Sequence, residues 1–185
     1  MARQVKGVLF ADYVRMLRAA KHVAWDEHLP PQDLQWLGQR IDPHGWYPME
    51  TYERMGLAIL DGIAGGDLES VRDWGRRTID ELQEGEPDLF SARDPRETFM
   101  RFQVLRQTLF NFPAAEVISI RDGRAVVEVR YGMSARAEEA ATFQSLGFLE
   151  RLLEVSGARD VAVELQSRSW DGNGSTRIAI AWTPA

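Results

Sequence analysis

The segment Gly123–Arg136, GRAVVEVRYGMSAR, carries the reading on which the fold depends. Val127, Val129 and Tyr131 fall on alternate positions, with Glu128 and Arg130 between them, which is the period of a half-buried β-strand. Upstream, AEVISI (115–120) is a second strand-like run. Asp122-Gly123 between the two is a hairpin signal. Downstream, RAEEAATFQSLGFLERLLEVSG is the clearest helix in the chain, with Thr142, Leu146, Leu149 and Leu153 on one stripe and Gly157 as its terminator. Tyr131, Ser134 and Arg136 therefore stand where a strand gives way to a helix start. Free backbone N–H groups and the positive helix end favour an anion at such a place.

Two more strands follow the helix. DVAVELQS alternates Val161, Val163 and Leu165 with Ala162, Glu164 and Gln166, and TRIAIAW sets Ile178, Ile180 and Trp182 on one face. The C-terminal part is thus a β-β-α-β-β unit, an antiparallel four-stranded sheet with one face covered. Gly147 lies inside the long helix, where glycine costs up to about 1 kcal/mol relative to alanine. Its presence predicts a close approach of that helix to the sheet.

The N-terminal part reads as helical. Phe10, Tyr13, Val14 and Leu17 repeat at three- and four-residue spacing. LPPQDLQWLGQRI starts a short helix at Pro31, and the turn cluster DPHGWYP ends it. In METYERMGLAILDGIA, Tyr52, Met55, Ile59 and Ile63 form a stripe; Leu68, Val71, Gly75 and Ile79 form another in the next helix. QEGEPDLFSARDP is the most linker-like piece. RETFMRFQVLRQTLFNF predicts one more helix, with Phe99, Phe102, Phe110 and Phe112 covering the sheet. The fold class is α+β: one domain over 1–185, with a helical part (1–112) and a sheet part (113–185).

Bulk properties narrow the function classes. A net charge of −6 argues against non-specific nucleic-acid binding, which needs a positive face. The absence of cysteine removes disulfides, thiolate metal sites and cysteine nucleophiles. The longest apolar runs fall short of the ~20 residues of a membrane helix, and the basic start lacks the apolar block of a signal peptide, so a cytoplasmic location is expected. The bias to 20 Arg over 2 Lys reads as a coding-sequence effect.

No residue pattern announces catalysis. The three histidines, His22, His28 and His44, form no metal motif, and no serine sits in a nucleophile elbow. Phosphate-binding loops and dinucleotide fingerprints are absent. No catalytic residue and no metal ligand is assigned. Trp46, in HGWYPMETY, suits either a pocket wall between helices or a loop anchored on the core. Arg136 suits either an anion or a surface pair with Glu138 or Glu139.

The element order, helices followed by FMRFQVLRQTLFNFP, GRAVVEVRYGMSAR, FLERLLEVSGARDVAVEL and a last strand, resembles the haem nitric-oxide/oxygen-binding (H-NOX) fold. It is also similar to the 4-vinyl-reductase-type ligand-binding domains. GWYPMETYERMGLAILDGIAGG and VKGVLFADYVRML more closely resemble a paralogous family of uncharacterised proteins, best known from myxobacteria, over nearly the whole chain. The H-NOX resemblance implies a Y-x-S-x-R cluster that holds haem propionates and a proximal histidine on the helix before the sheet. Tyr131, Ser134 and Arg136 instead have the spacing Y-x-x-S-x-R, and the helix before the sheet has no histidine.

The expectation is a non-catalytic sensory or regulatory module of signalling. It would bind a small apolar or anionic ligand through Tyr131, Ser134, Arg136 and Trp46, or a protein partner or a second copy of itself. It would take no cofactor, haem being disfavoured by the missing histidine, and would contact neither nucleic acid nor membrane. The alternatives are a pure protein-interaction adaptor, or a haem or tetrapyrrole sensor with a non-histidine ligand, for which Met100 is available. An unrecognised hydrolase would need a buried polar constellation that the sequence does not display.

Overall fold

The computed structural model describes residues 2–184. In chain order the elements are β1 (Gln4–Lys6), α1 (Gly7–Ala19), α2 (Pro31–Leu34), β2 (Trp46–Pro48), α3 (Met49–Gly62), α4 (Leu68–Gly85), α5 (Pro95–Arg106), β3 (Ala115–Arg121), β4 (Arg124–Val129), α6 (Ala135–Val155), β5 (Arg159–Ser167) and β6 (Thr176–Thr183). They form two compact units. The first runs up to Leu68 and includes Thr108–Phe112; the second holds Glu69–Gln107 and everything from Pro113 on. Helices α4 and α5 thus group with the sheet.

The second unit carries the α+β architecture. Its sheet is antiparallel throughout, in the order β3-β4-β6-β5. Arg121 pairs with Arg124 across Asp122-Gly123, and Gly123 takes φ +72°, a left-handed value that favours glycine. Ala125, Val127 and Val129 of β4 are buried, as are Ile178, Ile180 and Trp182 of β6. On their shared face Val127 lies together with Phe99 and Phe102 of α5 and Leu149 of α6. Burying a large side chain of this kind contributes roughly 1.5–3 kcal/mol.

Gly147 has a different reason from the one its position predicts. A Cβ there would stand 1.9 Å from the Arg72 carbonyl oxygen, and one on Gly75 would stand 2.0 Å from that of Gln144. The two glycines bring α6 against α4, rather than α6 against the sheet. Their backbones approach too closely for any side chain between them.

The first unit departs from the sequence reading in two places. The helix expected to continue to Phe112 stops at Arg106. The next residues return to β1: Lys6 N–H donates to the Leu109 carbonyl at 2.8 Å, and Val5 bridges Phe110. Phe110 and Phe112 therefore belong to the first unit, not to the unit that holds the sheet. Strands β1 and β2 also appear in a part read as wholly helical, paired from Gln4–Pro48 to Lys6–Trp46. At three residues each they are too short to show a period.

Aromatic packing dominates the first unit. Phe10 stacks on Tyr47 with centroids 4.5 Å apart, Trp36 meets both edge-on, and Tyr13 stacks on Tyr52 at 4.3 Å. Arg18 donates to the carbonyls of Leu37 and Gln39 at 2.8 and 2.5 Å, satisfying a turn that follows α2. Buried Asp33 accepts from Thr51 Oγ1 at 3.0 Å and from Arg54 Nε at 2.5 Å. Those bonds tie α2 to α3. The Asp33 bond leads the influences that hold the Arg54 guanidinium above its ordinary pKa.

Candidate functional site

Tyr131 leaves the sheet just after β4, where Arg130 N–H still donates to the Ala114 carbonyl at 2.8 Å. Its ring is 5% exposed. Gly132 then takes φ +68°, so the chain turns in a conformation open to glycine before reaching Ser134 at the N-terminus of α6. Tyr131 points into the unit, whereas Ser134 and Arg136 lie on its surface.

The hydrogen bonds around Tyr131 have a fixed direction. Ser145 Oγ donates to the Ala141 carbonyl at 2.9 Å, so it accepts from the Tyr131 hydroxyl at 2.8 Å. Arg106 Nη2 donates to the same phenol oxygen. The order is Arg106 to Tyr131 to Ser145 to the backbone of α6. Nearby, the carboxylate of Glu138 is 4% exposed; it accepts from Met133 N–H at 3.0 Å and from Ser169 Oγ at 3.3 Å. It secures the loop before α6, and Glu138 is buried rather than the surface partner for Arg136 that the sequence suggests.

Arg106 also lines a pocket with Phe99, Phe102 and Gln103 of α5, Ala115, Glu116 and Val117 of β3, Val127 of β4 and Leu149 of α6. It is a half-open cleft with about 20 Å³ of room for water-sized groups. On the exposed side of α5, Met100 is 41% and Val104 65% accessible, one helical turn apart. Sequence reasoning missed Arg106. As one of 20 arginines, at the end of a helix, it carries no local signal.

Trp46 belongs to the first unit, on β2. It is 41% exposed, with the Lys6 ammonium 4.4 Å above its ring. Among the described residues no group of three or more His, Asp or Glu side chains could hold a metal ion, and no helix is long and apolar enough to cross a membrane.

No protein-family model matches the chain, and no curated protein matches it. Solved structures do. A point mutant of the T. tengcongensis H-NOX domain aligns over 97% of this chain and 99% of its own, at 15% identity and a TM-score of 0.58. An Fe(II) unliganded H-NOX protein from K. algicida aligns over 96% of each chain, at 13% identity and a TM-score of 0.61. An oxygen-binding H-NOX domain related to soluble guanylate cyclases, in its oxygen complex, covers 97% of this chain and 96% of its own, at 18% identity and a TM-score of 0.60.

These likenesses correct one expectation. The matching structures are described by Fe(II), by an oxygen complex and by heme distortion. They are haem proteins, and the expectation that this chain takes no cofactor does not stand against them. The α+β architecture, the sheet and the order of its elements are those of an H-NOX-like fold.

Proposed function

We propose that this chain is a non-catalytic sensory module that binds haem or a related tetrapyrrole without a histidine from the helix that precedes the sheet. The observation that carries the reading is the length of the likeness: it spans nearly all of this chain and of the haem domains it matches. In this reading the module works in the cytoplasm.

The residues present fit such a group in part. Helix α5 offers no imidazole, so histidine ligation from it does not fit. It does offer the thioether of Met100, exposed and on the surface of the helix, and a thioether is an established haem ligand. Arg136 and Ser134, on the surface where α6 begins, suit a carboxylate. Tyr131 is committed to Arg106 and Ser145, so its part is to hold the turn that presents them. Trp46 lies in the other unit and is given no part in this site. When bound, the tetrapyrrole would supply the gas-binding iron.

The test is an absorption spectrum with native mass spectrometry before and after addition of haemin. A saturable Soret band with a one-to-one mass is expected. Met100→Leu should change the band's position or its response to reduction, and Arg136→Ala should weaken loading. Absence of both band and added mass would sink the reading.

A further inference from the structure

The half-buried arginines of the second unit fall into two groups. Arg72, Arg76 and Arg151 each meet carboxylates: Glu150 and Glu69, Glu150 and Glu154, and Asp80 and Glu154. Arg106 differs. Its hydrogen bond goes to the neutral Tyr131 hydroxyl through Nη2, and no carboxylate pairs with it among the described residues. A guanidinium carries five N–H donors, and this bond uses one nitrogen. Arg106 lines a pocket with Phe99, Phe102, Val127 and Leu149, and with the polar side chains of Gln103 and Glu116.

We infer that the Arg106 pocket is a binding site for a small organic carboxylate with a short apolar tail. It is separate from the tetrapyrrole reading and does not rest on it. A carboxylate on Arg106 would supply the counter-charge that the other half-buried arginines draw from the chain itself, through the strong charge-assisted geometry of this pair. Phenylalanine, valine and leucine give the tail an apolar surface. The half-open space of about 20 Å³ admits roughly one water-sized group, so the tail fills it with a terminal methyl or methylene while the rest lies outside it. The Tyr131 hydroxyl holds the guanidinium in place, and Ser145 holds the hydroxyl. Such pre-ordering lowers the entropic cost of capture. Glu116 also lines the pocket, and its charge opposes any anion there, a dianion more than a monoanion.

The experiment is an amide-correlation NMR titration of the full chain with hexanoate, run beside hexanol. Hexanoate should give saturable shifts centred on Gln103, Arg106, Val117 and Val127, and hexanol at least tenfold weaker ones. Arg106→Gln should weaken hexanoate tenfold or more, whereas Arg106→Lys should keep part of the binding. Val117→Phe, which fills the mouth and leaves the cation, should abolish it and guards against a folding defect in the arginine variants. Equal response to hexanol, shifts elsewhere, no saturable shift, or unaltered hexanoate binding in a folded Arg106→Gln or Val117→Phe would overturn the inference. The last result would leave Arg106 as a cation that only balances the carbonyl end of α5.

Discussion

The seam between α4 and α6 and the pocket between α5 and the sheet lie in one unit and are built on opposite rules. At the seam, two glycines let backbones touch, and three arginines are matched by carboxylates on the facing helix or their own. Hydrogen bonds to Glu150 and Asp80 are the first reason the Arg72 and Arg151 guanidiniums sit above their ordinary pKa, against the opposing effect of burial. At the pocket, the cation meets a phenol, and α5 shows Met100 and Val104 to solvent. A region whose charges are all answered internally is committed to holding the fold. A region that leaves one unanswered retains capacity for something outside it.

The largest test breaks the seam. Gly147→Val places branched carbons where even a Cβ would overlap the Arg72 carbonyl, and backbone must move. Overpacking of this severity costs about 3 kcal/mol or more, far beyond the ~1 kcal/mol that a better helix former returns. Urea unfolding should show the loss. A variant as stable as the parent would mean that the helices do not cross at these glycines. Glu150→Ala comes next. Its carboxylate, 10% exposed, serves Arg72 and Arg76 together; removing it leaves Arg72 with Glu69 at 3.5 Å and Arg76 with Glu154 alone at 2.7 Å. Those arginines are about a third exposed, so water compensates in part; a loss of about 2 kcal/mol is expected, read in the same melts.

Arg106→Met sharpens the contrast from the other side. Only the hydrogen bond to Tyr131 is lost, and the replacement is apolar in an apolar pocket, so about 1 kcal/mol or less is expected. A loss as large as that of Glu150→Ala would make Arg106 a structural residue of the seam's kind.

The two regions also differ in how far they can be read from sequence. The sheet and α6 are plain: Val127, Val129 and Tyr131 alternate, Ile178, Ile180 and Trp182 alternate, and Leu146, Leu149 and Leu153 keep a helical stripe. Gly147 is visible as an anomaly, yet its partner is not, because closeness to Gly75 is a tertiary fact about helices 72 residues apart. The end of α5 is hidden for another reason. Leu105 and Leu109 continue its apolar spacing, and only pairing with β1 decides that the chain unwinds after Arg106. Tyr131, Ser134 and Arg136 are recognisable as a group, but the inward commitment of the tyrosine depends on Arg106 and Ser145, which no motif flags.

The smallest effect belongs to a pair outside both regions. Glu128 and Arg177 face each other across β4 and β6, with Nε donating to the carboxylate at 2.8 Å. That bond is the first cause that lowers the Glu128 pKa below its usual range, helped by Ser175 and by the charges of Arg177 and Arg130. A lowered folded-state pKa means that the unfolded chain takes up the proton more readily. The stabilisation is therefore full above the unfolded carboxylate value of about 4.3 and is lost as pH falls through the lower folded value. Arg177 is 54% exposed, so the contribution stays below about 1 kcal/mol and shrinks with salt. Glu128→Gln should narrow the stability difference between pH 7 and pH 3 by that small amount, measured by chemical denaturation at both values. If the difference stays unchanged at low ionic strength, the pair contributes nothing measurable to acid sensitivity.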